Sequence, residues 1–203
     1  FKNEEALELY EKIKQFMQEK RLSSPFFELR ENANIASILY FMEKYDESLA
    51  LAKSLLRKAR KLNDKEGIVQ LLGIIGRNYY KKGEVNKGLK YLKEMLRLSE
   101  EWKYDKYYTI GAINIIQYYF NQSKRLELAK QYIDKGLKKC KKTGRVIEEI
   151  TFIFARGWYW ILKGKREKGL NNFYKALDLA EKVGWQSEIK LIKEAIEENK
   201  NKK

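Results

Sequence analysis

Residues 75–92 read Ile75-Gly76-Arg77-Asn78-Tyr79-Tyr80-Lys81-Lys82-Gly83-Glu84-Val85-Asn86-Lys87-Gly88-Leu89-Lys90-Tyr91-Leu92. Gly76 is followed three residues later by Tyr79, and Gly88 four residues later by Leu92. Two antiparallel helices approach to about 8–10 Å only where small side chains on one admit bulky side chains from the other. The stretch therefore predicts the crossing point of one helical hairpin.

Outward from this hairpin the pattern repeats. Asp46-Glu47-Ser48-Leu49-Ala50, Val85-Asn86-Lys87-Gly88-Leu89, Glu127-Leu128-Ala129-Lys130-Gln131 and Glu167-Lys168-Gly169-Leu170-Asn171 each open an amphipathic helix. Their small residues Ser48, Gly88, Ala129 and Gly169 are spaced by 40, 41 and 40. Upstream stand Ala36, Gly76, Ile116 and Gly157, followed by the large residues Leu39, Tyr79, Tyr119 and Trp160. A period of this length is the signature of stacked supersecondary units.

On these residues the chain resembles the tetratricopeptide repeat (TPR) family. Gly76, Tyr79, Gly88 and Leu92 match its pattern, as do Gly157, Trp160, Gly169 and Phe173. The unit with Ile116, Tyr119, Ala129 and Ile133 departs most, and the family's proline after the second helix is absent throughout. A period of about 40 residues marks a long-helix variety, with about 1.7 more turns per unit than a 34-residue repeat. It resembles the regulatory domains of some bacterial transcription factors and sensor proteins.

The resemblance implies an all-α, right-handed superhelix (α-solenoid) of antiparallel helix pairs in one domain over 1–203. Within it, 1–22 reads as the second helix of a truncated repeat, with Ala6 and Tyr10 in register. Pairs follow at 27–64, 67–104, 107–145 and 148–185, and 187–203 reads as a capping helix and tail. The helix at 4–20 lacks a partner, which predicts a natural protein that continues upstream of Phe1.

Composition bounds the function. The 203 residues carry 43 Lys and Arg, 28 Asp and Glu, no histidine and one cysteine, for a formal net charge of +15. Without histidine, the usual zinc sites and histidine-activated nucleophiles cannot be built. No phosphate loop or dinucleotide fingerprint occurs either, so no metal, cofactor or enzymatic activity is expected. The lone Cys140 has no disulfide partner, and no apolar run reaches membrane-spanning length. A cytoplasmic protein without a membrane partner is expected.

The expected partner is a peptide or protein lying in the concave groove lined by the first helices. Counting around each first helix from its small packing residue gives the outward stripe: Arg30, Asn34, Ser37 and Phe41; Gln70, Ile74, Arg77 and Lys81; Ile110, Asn114, Gln117 and Asn121; Thr151, Ala155, Trp158 and Leu162. Asn and Gln each offer a donor and an acceptor to a peptide backbone, and Ile74, Trp158 and Leu162 offer apolar surface. The group resembles the peptide-reading asparagines of tetratricopeptide regulators that sense signalling peptides. The alternative is nucleic-acid binding by the basic outer face, Lys135 to Arg145, where Lys138, Lys139, Lys141 and Lys142 have only Tyr132 nearby for stacking. It is not favoured for this domain. A homo-oligomer could form through an exposed end near Leu7 and Tyr10. Trp102 and Trp185 read as packing residues between repeats.

Overall fold

The structure is a computed structural model and describes residues 2–19, 24–123 and 125–200. The described residues contain helices and no strand: α1 (Lys2–Glu19), α2 (Pro25–Phe41), α3 (Tyr45–Lys61), α4 (Lys65–Lys81), α5 (Val85–Glu101), α6 (Asp105–Tyr118), a π-helical segment (Tyr119–Ser123), α7 (Leu126–Thr143), α8 (Val146–Leu162), α9 (Arg166–Lys182) and α10 (Gln186–Lys200). They form two compact units, Phe1–Tyr107 and Tyr108–Lys203. None of the described helices is long and apolar enough to cross a membrane. The expected all-α stack of antiparallel helix pairs is what the structure contains. The side chains of Ala6 and Leu7, residues 20–22 and the tail at 201–203 lie outside the described residues.

Helix length follows a clock of 20 residues. Backbone φ turns positive at Glu43, Asn63, Gly83 and Lys103, and again at Gly144, Gly164 and Gly184. At each of these ends the N–H of the residue that follows reaches back five residues, as in Lys44 N–H to Leu39 O at 2.9 Å and Glu84 N–H to Tyr79 O at 2.9 Å. A left-handed residue after the helix, closed by this long-reach bond, satisfies carbonyls that would otherwise be orphaned. Lys103 and Gly144 are the exception to the clock, one residue further apart than two full periods. The π-helical turn accounts for the surplus, because an i→i+5 turn holds one residue more than an α turn. The 41-residue spacings from Gly88 to Ala129 and from Ile116 to Gly157 both straddle this segment.

Within the first unit, α2 packs on α3, α3 on α4 and α4 on α5, and α2 also touches α4. The hairpins close at the small residues. A Cβ on Gly88 would stand 2.6 Å from the carbonyl oxygen of Gly76, and a Cβ on Gly76 would meet Leu92 at 2.7 Å. In the preceding hairpin Ser48 takes the place of Gly88, and its hydroxyl donates to Ala36 O at 2.6 Å. Asn78, fully buried on α4, donates to Ser48 Oγ at 2.8 Å and to Ile74 O at 2.9 Å. One polar chain thus joins α2, α3 and α4, where the Gly76–Gly88 and Gly157–Gly169 hairpins use bare backbone contact.

In the second unit α7 packs on the π-helical segment and on α8, α8 on α9, and α9 on α10. Gly157 and Gly169 repeat the first unit's arrangement, with Phe173 filling the space beside Gly157. Ile189, Ile192 and Ile196 of α10 are buried, as their i, i+3, i+7 spacing on one helix face requires.

Candidate functional site

The outward residues of α2 and α4 meet in three rungs. In the first, Arg30 Nη2 lies 2.8 Å from Glu66 Oε2, and the Tyr107 hydroxyl donates to Glu66 Oε1 at 3.1 Å. Burial, followed by the Glu66 charge, pushes the Tyr107 phenol well above its ordinary range, so it stays protonated and donating. In the second, Gln70 Nε2 donates to Asn34 Oδ1 across a long 3.4 Å. In the third, the Arg77 guanidinium lies 4.8 Å from the Tyr40 ring centre and 5.9 Å from that of Phe41. All three rungs join residues 36 apart: 30 to 66, 34 to 70 and 41 to 77.

This offset is four residues shorter than the 40 between packing residues Ala36 and Gly76. Neighbouring first helices are therefore staggered by one turn, about 6 Å along their axes. Ser37 is half-buried between the second and third rungs. Ile74 is only 1% exposed, so it fills the interior instead of offering the apolar surface its position in the count suggested. Phe41, at 58%, does offer such surface.

Charge and amide chemistry differ from rung to rung. Arg30 is neutralised by Glu66. The Asn34–Gln70 bond uses one donor and one acceptor, and Asn34 Nδ2 and Gln70 Oε1 bond to no described residue. Arg77 makes no hydrogen bond or ion pair with any described residue, and its Nε is buried without a partner. Desolvation pulls the guanidinium's affinity for its proton down, and Tyr40 partly opposes that, yet an arginine remains charged at any ordinary pH.

In the second unit the stripe is less organised. Asn114 Nδ2 donates to Ile110 O at 2.7 Å and Thr151 Oγ1 to Ile147 O at 3.2 Å, so each bonds to its own helix. Gln117 is exposed. Asn121 falls in the π-helical segment, where the turn per residue differs from the α value used to place it. Trp158 stacks edge-on against Phe154 and Phe173, with ring centres 6.1 and 5.3 Å apart, so it belongs in part to the α8–α9 packing.

Glu66, Tyr107 and Tyr40 were not singled out by sequence. Glu66 lies one turn before Gln70 on the same face, a signal that the count could have extended to.

On α7, Lys138, Lys141 and Lys142 are exposed, while Lys135 and Lys139 sit over the buried ring of Tyr108, at 5.2 and 4.7 Å. An aromatic residue is therefore closer to the basic run than sequence indicated, but it faces inward. A groove of about 600 Å³ between α7, α8 and α9 mixes Lys138, Lys141, Arg156 and Lys175 with Asp134, Glu149 and Asp178, so its lining is not of one sign. No group of three or more Cys, Asp or Glu suited to a metal occurs among the described residues.

Paired helices that cross at small residues and turn every 20 residues define a tetratricopeptide-like repeat protein. The model of the family described as HTH-type transcriptional regulator Rgg, C-terminal domain, matches residues 84–194, more than half of the chain, and the chain belongs to that family. Among solved structures it is similar to the apo form of RapI, with 16% identity and a TM-score of 0.74 over 94% of this chain and 70% of that one. Aspartyl phosphate phosphatase F from Bacillus subtilis is 14% identical, with a TM-score of 0.62 over 98% of this chain and 54% of its own. The TPR-like repeats of a putative kinesin light chain from Podospora anserina are 14% identical, with a TM-score of 0.63 over 90% and 88%. At such identities the likeness is one of fold. No curated protein matches the sequence.

Proposed function

We propose that this chain is the ligand-sensing part of a larger regulator, and that it binds an extended peptide, free or part of a protein, on the outward face of its first helices. The family's name supplies the regulatory setting, and the Asn34–Gln70 rung is the observation that supports the ligand class. An extended peptide presents one N–H and one C=O per residue. Asn34 Nδ2 offers the complementary donor and Gln70 Oε1 the acceptor, from side chains that already orient each other. Asn114, Gln117, Asn121 and Trp158, on α6, the π-helical segment and α8, are the second unit's own candidates for peptide contact. Binding, not catalysis, is the reading for this chain; the phosphatase named among its structural neighbours shares the fold alone.

The test is retention of a random, fluorescently tagged octapeptide library by the full chain, compared with the Asn34→Ala/Gln70→Ala double variant. Wild type should retain a defined subset of peptides. The double variant should bind those peptides about tenfold or more weakly, the effect of losing one or two hydrogen bonds. Retention of no peptide, or equal affinities, would overturn the reading.

A further inference from the structure

Resting on that reading, we propose that Arg77 receives a carboxylate of the bound peptide, one placed about three residues along the peptide from the amide held by Asn34 and Gln70.

On the first rung an arginine finds an acid at the 36-residue offset, Arg30 with Glu66. On the third rung the residue at that offset from Arg77 is Phe41, and the next ring is Tyr40. The guanidinium therefore rests on two aromatic rings and makes no bond to any acid or carbonyl among the described residues. Stacking on Tyr and Phe offsets part of the cost of desolvating a cation and holds the planar fork in one orientation. It leaves the five N–H donors without a partner among the described residues, with Nε alone out of reach of solvent. A buried charge in this state is stabilised most by an anion that accepts two parallel hydrogen bonds, which is the geometry of a carboxylate. A residue serving only to pack would need no charge, and one serving only as a surface cation would not be so enclosed.

Spacing then defines the ligand. Gln70 and Arg77 are seven residues apart on α4, about 10.5 Å along its axis. An extended peptide covers that distance in about three residues. The carboxylate has two sources within one chemistry: an Asp or Glu side chain, or the peptide's own C-terminus.

Three octapeptide libraries separate them: one with free C-termini, one amidated, and one amidated and without Asp or Glu. Each is presented to the full chain and to its Arg77→Gln and Arg77→Lys variants, after circular dichroism confirms their folding. Wild type should lose affinity by about tenfold or more for the library with no carboxylate. The amidated library that keeps Asp and Glu assigns the source. Arg77→Gln should erase the difference between libraries while still retaining peptides, and Arg77→Lys should keep a weakened preference. Peptides retained without any preference for a carboxylate, or a preference that survives in Arg77→Gln, would overturn this proposal and leave the peptide reading standing. Retention of nothing by any protein would overturn both.

Discussion

Gly76 and Gly88 face each other backbone to backbone across the α4–α5 hairpin, close enough that a Cβ on Gly88 would stand 2.6 Å from the Gly76 oxygen and 3.1 Å from the Tyr80 nitrogen. The obstacle is main chain on both sides and cannot rotate away. Gly88→Ala should therefore destabilise the protein by about 1–3 kcal/mol, despite alanine's advantage in helices. Gly73→Ala is the control. Its Cβ would meet only the flexible end of Met95, so its urea midpoint should stay close to that of wild type.

A second comparison separates the hydroxyl of Ser48 from its size. Three of the four units place glycine or alanine at this position, so Ser48→Ala conforms to the repeat. It should nevertheless cost about 1 kcal/mol, because it removes the hydroxyl that donates to Ala36 O and accepts from Asn78 Nδ2. Chemical denaturation checks this directly.

The 20-residue clock predicts a gain. Lys103 adopts φ 60° at the helix-end position that Gly83 occupies with φ 79°. A left-handed residue with a Cβ is strained, and glycine's extra freedom in the unfolded chain offsets part of the relief. Lys103→Gly should raise stability by about 0.5–1 kcal/mol, read as a higher melting temperature.

Burial, with Glu148 and Glu149 adding to it, pushes the Cys140 thiol up to about 11. The folded state therefore holds this proton after the unfolded state has released its own, and the contribution to stability falls as pH rises from about 9 through about 11. Subtracting the urea stability of Cys140→Ala from that of wild type across this range should give a declining difference. At pH 8 the native thiol should resist iodoacetamide and react once the chain is unfolded.

The fold was legible because its constraints are local. Gly76, Gly88, Gly157 and Gly169 mark hairpin crossings that tolerate little else, and the one irregular spacing recorded the extra residue of the π turn. The candidate site was legible only in part. Angular counting treats each helix alone, so it found Asn34, Gln70 and Arg77 but not the one-turn stagger that pairs them, nor Glu66 and Tyr107, which complete the first rung. It also placed Ile74 outward, where the neighbouring helices close over it, and did not reveal that Trp158 leans on Phe173.

The central claim is that a peptide lies on the outward face of α2 and α4. Photo-crosslinking from a benzophenone at Ser37, between the second and third rungs, tests it against the same probe at exposed Arg57 on α3, with the octapeptide library as ligand. Peptide should be captured from Ser37 and not from Arg57, with capture reduced by Asn34→Ala/Gln70→Ala. Equal capture at both positions, or capture from Arg57 alone, would contradict it.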